Sequence, residues 1–177
     1  MTRFINLLTI TRILLAPIIL LILIFGEYLL CVFLFLLAGV SDYFDGYLAR
    51  KYNAESELGE ILDPIADKIL VVFLLIGLSV NLYSYLMAVM SSLIISREIG
   101  VAALRDYAAR NDMSHKTKVT FLAKSKTALQ ISTIMLYLIA LSFNLSLLII
   151  IGDISLIAAT LITLYTGYEY ANNIFTK

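Results

Sequence analysis

Long apolar runs separated by short polar breaks set the pattern of this chain. Read for hydrophobic length, it holds six runs of about 20 residues, the length a bilayer's hydrocarbon core requires of a helix. They predict helices over approximately 7–26, 28–49, 60–80, 84–106, 121–143 and 147–170. The fold class expected is an all-α integral membrane protein with six transmembrane helices. The N-terminus, Arg3 followed by "ILLAPIILLILIF", imitates a signal peptide. Arg12 interrupts it and no small-x-small cleavage site follows, so it is kept as the first span. Pro17 is expected to kink that helix, which membrane helices tolerate.

Composition agrees with this reading and narrows it. The chain has 177 residues, suiting one domain over 1–177, with 61% hydrophobic and only 15% charged residues and a mean hydropathy of +0.94. Those values lie well outside soluble norms. The single cysteine, Cys31, excludes a disulfide framework and reads as a packing or lipid-facing residue. Formal net charge is zero, and no nucleic-acid partner is expected.

Where the charges fall matters more than their sum. Along the six predicted spans all thirteen Lys and Arg lie on one side, from Arg3 and Arg12 through Arg50, Lys51 and Lys68 to Arg97–Lys126 and Lys177. The opposite turns, "FGE", "VNLYS" and "FNLSL", hold none. By the positive-inside rule both termini are then cytoplasmic and the number of spans is even. The two sizeable polar loops, 50–58 and 107–120, fall on that same side, so function is expected at the cytoplasmic membrane edge. His115 in the second loop has no partner at metal spacing and reads as solvated. The tyrosines, Tyr28, Tyr83, Tyr85, Tyr165 and Tyr170 among them, read as an interfacial belt. Asp153 is expected to cap the start of the last span.

Four acids break the apolar pattern within "SDYFDGYLARKYNAESELGEILDPIADK", residues 41–68. An aspartate at the bilayer centre costs roughly 2.5–3.5 kcal/mol, so four need a reason. Asp42 and Asp45, three apart, share a helix face, as do Asp63 and Asp67, four apart. Pro64 suits the first turn of the third helix. The short segment between the pairs lets them converge into one carboxylate cluster. Such a cluster, without His or Cys, suits hard divalent ions, Mg²⁺ or Mn²⁺, and two such ions together are a recurring way to handle a phosphoryl group. Ion pairs to Arg50 and Lys68 are the other reading. Gly46, Ala49 and Gly59 either leave room for a substrate to approach the backbone or let helices pack closely.

Written out, the residues are Asp42-x2-Asp45-Gly46-x2-Ala49-Arg50-x8-Gly59-x3-Asp63-x3-Asp67. This resembles the full signature of the CDP-alcohol phosphatidyltransferase family. The resemblance implies a six-helix membrane enzyme, usually a homodimer, with its active-site cavity at the cytoplasmic membrane edge. It implies a two-metal site of Asp42, Asp45, Asp63 and Asp67, with Asp67 as general base. It assigns Gly46, Ala49, Arg50 and Gly59 to the cytidine diphosphate portion of the donor. Asn6 and Thr9 would touch the nucleotide or cap the first helix, although Ile5 stands where many members have proline.

Three further stretches, "NLLTITRILLAPIIL", "IISREIGVAALRDYAA" and "LAKSKTALQ", resemble the bacterial branch whose acceptor is sn-glycerol 3-phosphate, the donor being CDP-diacylglycerol. That implies a home in the bacterial cytoplasmic membrane among membrane lipids. A phosphorylated acceptor gives a use to Arg97, Arg105, Lys124 and Lys126, with anchoring to anionic headgroups as the other reading. For Arg110, Lys116 and Lys118 anchoring is the reading adopted. Glu98 stands beside Arg97 with either a site arginine or a dimer contact open to it. Other acceptors, namely inositol phosphate, serine or phosphatidylglycerol, use the same chemistry. A divalent-cation transporter would place its acids near the midplane and leave Gly46, Ala49, Arg50 and Gly59 without a role. A non-catalytic scaffold would not need four acids.

Overall fold

Every predicted run is an α-helix in the computed structural model, which describes residues 2–52, 57–111, 113 and 121–176. The helices are α1 (Thr2–Ile24), α2 (Tyr28–Tyr52), α3 (Glu57–Asn81), α4 (Tyr85–Arg110), α5 (Phe121–Phe143) and α6 (Ser146–Phe175). No strand occurs among the described residues. Boundaries differ from expectation mainly at the basic end, where α2, α4 and α6 each run three to five residues further, from 49, 106 and 170 to 52, 110 and 175. Hydropathy marks where lipid contact ends, whereas the backbone keeps its hydrogen-bond ladder beyond that point.

The helices form three hairpins, and the turns explain why they are tight. Gly26, with φ +84°, ends α1. Its amide donates to the Leu23 carbonyl and the Glu27 amide to that of Ile22, the paired bonds of a Schellman cap. Asn144, with φ 53°, does the same for α5, where the Leu145 amide donates to Ala140. Asparagine tolerates that left-handed conformation better than most side chains. Tyr83 (φ 49°) sits between α3 and α4, and the Ser84 hydroxyl then caps α4 by accepting the Met87 amide at 3.2 Å. Because α6 starts at Ser146, Asp153 lies two turns inside it and is not the expected cap. Its carboxylate instead accepts a 2.6 Å hydrogen bond from the Tyr137 hydroxyl on α5.

α1 packs on α2 and α3, α3 on α4, and α6 on both α4 and α5, with α5 also reaching α2 and α3. The core along these contacts includes Ile19, Leu23, Leu74, Leu78, Ile94, Ile134 and Leu156, all buried. Cys31 is buried too, so packing is its role. Small residues mark the closest approaches: a Cβ on Gly77 would come within 2.7 Å of Leu20 and Leu23, and one on Gly152 within 2.9 Å of Tyr137. Polar pairs tie α5 to α6, with Gln130 donating to Thr163 at 3.0 Å and Thr133 and Ser155 2.6 Å apart.

The exterior is apolar. Leu7, Leu14, Leu21, Phe33, Leu147, Ile154, Leu161 and many others are exposed, far beyond the patch a water-soluble monomer presents. Among the described residues four helices are long and apolar enough to cross a membrane, over Asn6–Ile24, Tyr85–Arg110, Ser125–Phe143 and Ser146–Phe175. α2 holds, among the described residues, a shorter apolar stretch, Tyr28–Asp42, and the first turns of α3 carry Asp63, Asp67 and Lys68.

Candidate active site

Two charged centres lie at the basic end, and α3 contributes to both. The first belongs to α1, α2 and α3. Asp42 comes from α2 and Asp63 from α3, with side chains 46% and 48% exposed. Between them stands Arg12 of α1, its side chain only 2% exposed. Its guanidinium donates to Asp42 through Nη1, while Nη2 lies 3.7 Å from Asp63 Oδ1. The same Asp63 oxygen accepts a 2.9 Å hydrogen bond from Thr9 Oγ1, one turn before Arg12 on the same helix.

Thr9 therefore belongs to the acid centre and does not cap α1. Asp42 and Asp63 meet Arg12, a residue read only as a topological charge, whereas Arg50, named with Lys68 in the alternative ion-pair reading, has its side chain outside the described residues. The signal for Arg12 was its spacing: Asn6, Thr9 and Arg12 recur every three residues along one helix face. Asn6 is half-buried and Gly59 is buried. The side chains of Asp45, Gly46, Ala49, Arg50 and Asp67 lie outside the described residues, as do His115, Lys116 and Lys118.

Whether a divalent ion suits this centre can be tested on its charges. Two carboxylates from different helices already converge on one cationic group, and both keep an exposed edge. Their donors are hard oxygens, matching Mg²⁺ or Mn²⁺. Among the described residues no third acid, His or Cys joins them, and Asp45 and Asp67 would have to complete the set. The residues present fit.

The second centre is a cavity of about 550 Å³ between α3, α4, α5 and α6. Lys68, Arg97, Arg105, Lys126, Glu98 and Tyr170 supply its polar lining, and residues such as Val71, Leu75 and Ile131 its apolar wall. Arg97 and Lys126 side chains are 6% and 7% exposed. Charges so deep need partners. Glu98 provides one, its Oε1 accepting both Arg97 Nη1 at 3.0 Å and the Lys126 ammonium. Arg97 Nη2 donates to Thr166 Oγ1 at 2.8 Å. Gly167 lets α6 lie against the arginine: a Cβ there would be 2.9 Å from its Cγ and 3.1 Å from its Nε. Arg105 donates to the Tyr170 hydroxyl at 2.9 Å, with its guanidinium carbon 5.2 Å from that ring's centroid.

Of the four cations expected to meet a phosphate, Arg97, Arg105 and Lys126 thus share one cavity, while the Lys124 side chain lies outside the described residues. Tyr170, read as part of an aromatic belt, belongs to the site instead. Lys68 joins the cavity unexpectedly: it follows Asp67 directly, and that adjacency had suggested charge neutralisation. Arg110 stays apart, pairing with Asp106 at 2.8 Å on the exposed side of α4.

The fold and the two centres define a class first, a helical multi-pass membrane protein with a carboxylate pair beside a cationic cavity. That arrangement has a family counterpart, and the chain belongs to it: residues 4–166 match the model of the CDP-alcohol phosphatidyltransferases. A Blochmanniella floridana relative is 40% identical over 152 residues, covering 85% of this chain and 78% of the relative. One from Rickettsia bellii is 40% identical over 169 residues, covering 93% and 91%. One from Rickettsia typhi is 38% identical over the same length, covering 93% of each. All three are named CDP-diacylglycerol–glycerol-3-phosphate 3-phosphatidyltransferase. Enzymes of this family generally depend on a divalent metal.

Proposed function

We propose that this protein transfers the phosphatidyl group of CDP-diacylglycerol to sn-glycerol 3-phosphate, giving phosphatidylglycerophosphate and CMP. The observation that carries the reading is the pairing of opposite charge centres through α3. Asp63 on that helix faces Asp42, and Lys68, five residues later, lines the cavity holding Arg97, Arg105 and Lys126. A pyrophosphate donor with metal ions suits the first centre and a phosphate monoester suits the second. The names of the relatives support the same pair of substrates.

In this reading Asp42, Asp45, Asp63 and Asp67 would hold two Mg²⁺ or Mn²⁺ ions. Such ions supply charge neutralisation at the pyrophosphate and at departing CMP. Asn6, Thr9, Gly46, Ala49, Arg50 and Gly59 frame the cytidine diphosphate portion. Thr9 also fixes the orientation of Asp63 through its hydroxyl, and the guanidinium of Arg12 limits repulsion between Asp42 and Asp63. The cations of the cavity, with Lys124, hold the acceptor's phosphate. Asp67 accepts the proton of the acceptor's hydroxyl as that oxygen bonds to the phosphorus bearing diacylglycerol, and the bond from this phosphorus to the CMP oxygen breaks.

The whole chain, 1–177, acts as one domain in this reading. All six helices cross the bacterial cytoplasmic membrane with both termini inside, and two copies form a homodimer. The charge asymmetry supports the orientation.

The test uses purified protein with CDP-diacylglycerol, Mg²⁺ and labelled glycerol 3-phosphate. CMP and labelled phosphatidylglycerophosphate are expected. Release of CMP with serine, inositol phosphate or phosphatidylglycerol, and none with glycerol 3-phosphate, would overturn the acceptor assignment.

A further inference from the structure

We propose that Glu98 is the positioning residue of the acceptor pocket, the anion that, among the described residues, holds Arg97 and Lys126 in register for a phosphate. This inference rests on reading the cavity as the acceptor site.

The geometry has three parts. First, a single oxygen of Glu98 accepts from both cations, one neighbouring it on α4 and one on α5. It therefore ties α4 to α5 through one atom. Second, the carboxylate, 17% exposed, lines the cavity together with both cations it holds. Third, Arg97 is restrained on its other edges, by Thr166 at 2.8 Å and by the backbone at Gly167. Glu98 completes that restraint. Lys126 has no second carboxylate among the described residues, and its place depends on Glu98 alone.

The remaining cations divide from these two. Lys68 has no ion pair among the described residues, and Arg105 rests on a phenol and a ring. Both can approach a ligand without breaking a carboxylate contact. A phosphate entering the cavity thus meets two cations without a carboxylate partner among the described residues and two held by Glu98. Held donors bind with less ordering cost than mobile ones. Removal of Glu98 would leave two buried cations side by side, repelling each other, and would turn the held pair into a splayed one.

The experiment is steady-state kinetics on the full-length protein in its membrane mimetic, varying each substrate separately. Wild-type turnover with glycerol 3-phosphate is measured first, and its absence would count against the acceptor reading rather than against Glu98. In Glu98→Gln the KM for glycerol 3-phosphate is expected to rise on the order of tenfold or more. The KM for CDP-diacylglycerol and kcat should stay within about twofold, because the acid centre is untouched. Glu98→Asp, which keeps the charge but shortens the reach, should lie between. If Glu98→Gln does not accumulate, Glu98→Asp alone carries the test through its raised acceptor KM. An acceptor KM unchanged in the variant that folds would show a purely structural ion pair and overturn the proposal. A lowered KM would overturn it too, since Glu98 would then be competing with the phosphate.

Discussion

The acid centre and the cationic cavity are built on the same plan with the signs exchanged. In one, a single buried Arg12 serves Asp42 and Asp63. In the other, a single Glu98 serves Arg97 and Lys126. What differs is where the majority charges lie. The two aspartates are about half exposed, whereas the arginine and lysine are almost wholly buried. Exposed carboxylates keep lone pairs for an exchangeable cation, and buried cations keep a fixed shape for a ligand that carries its own charge. Membrane proteins hold unpaired charge at high cost, and among the described residues each centre carries one counter-ion against two charges of the other sign.

The contrast can be broken at several points. The largest effect is expected at the acid side, from Asp67→Asn. Loss of a general base should cut kcat by roughly 10²–10⁴-fold, with donor binding largely kept. Near-normal turnover in that variant would remove Asp67 from the chemistry. Thr9→Val takes away the hydrogen bond to Asp63 and leaves the carboxylate in place. Outer partners of metal ligands are worth about 10–100-fold in metal affinity, so a Mg²⁺ titration should show a half-activating concentration raised by about that much. No shift would mean that Asp63 needs no orientation.

On the cationic side, Gly167→Ala would press a methyl group against Arg97. A strain of about 1 kcal/mol, at the low end for overpacking, should raise the KM for glycerol 3-phosphate roughly fivefold with kcat unchanged. A change in donor KM instead would couple the two centres more tightly than their geometry suggests. Smallest of all should be Tyr137→Phe, far from both centres. Losing its bond to Asp153 should cost about 0.6–1.7 kcal/mol of stability, read as a lower Tm in detergent, and leave the kinetics alone.

Much of this architecture was legible in residue order. Hydrophobic length located all six helices, because only an uninterrupted apolar run satisfies a bilayer. The short segment between the two acid pairs made the meeting of Asp42 and Asp63 from different helices legible, since it turns the chain back on itself. Arg97, Arg105 and Lys126 were also legible as one group at one end. Arg12 was legible only through its spacing from Asn6 and Thr9, because a lone arginine in an apolar run looks the same whether it anchors a helix or bridges two acids on others. Only the packing of α1 against α2 and α3 decides. Gly167 gave no signal either: its role comes from the depth at which α6 presses on α4. Asp153 misled because acids favour helix starts in general, and α6 begins seven residues before it, at Ser146, after the tight turn at Asn144.

α6 carries one further consequence through its length. Its 30 residues extend about 45 Å at 1.5 Å per residue, against a hydrocarbon thickness of about 30 Å. Measured from Ser146, that thickness is used up near Thr166, the residue that grips Arg97. Gly167 and Tyr170 follow within the next turn. If its start lies at the far boundary, α6 is a ruler that would set the cationic cavity near the height of the lipid headgroups. A bilayer of different thickness would then lift or sink the pocket relative to the donor's headgroup. Turnover in vesicles of graded acyl length would read that height, and a flat response would show that α6 tilts to compensate.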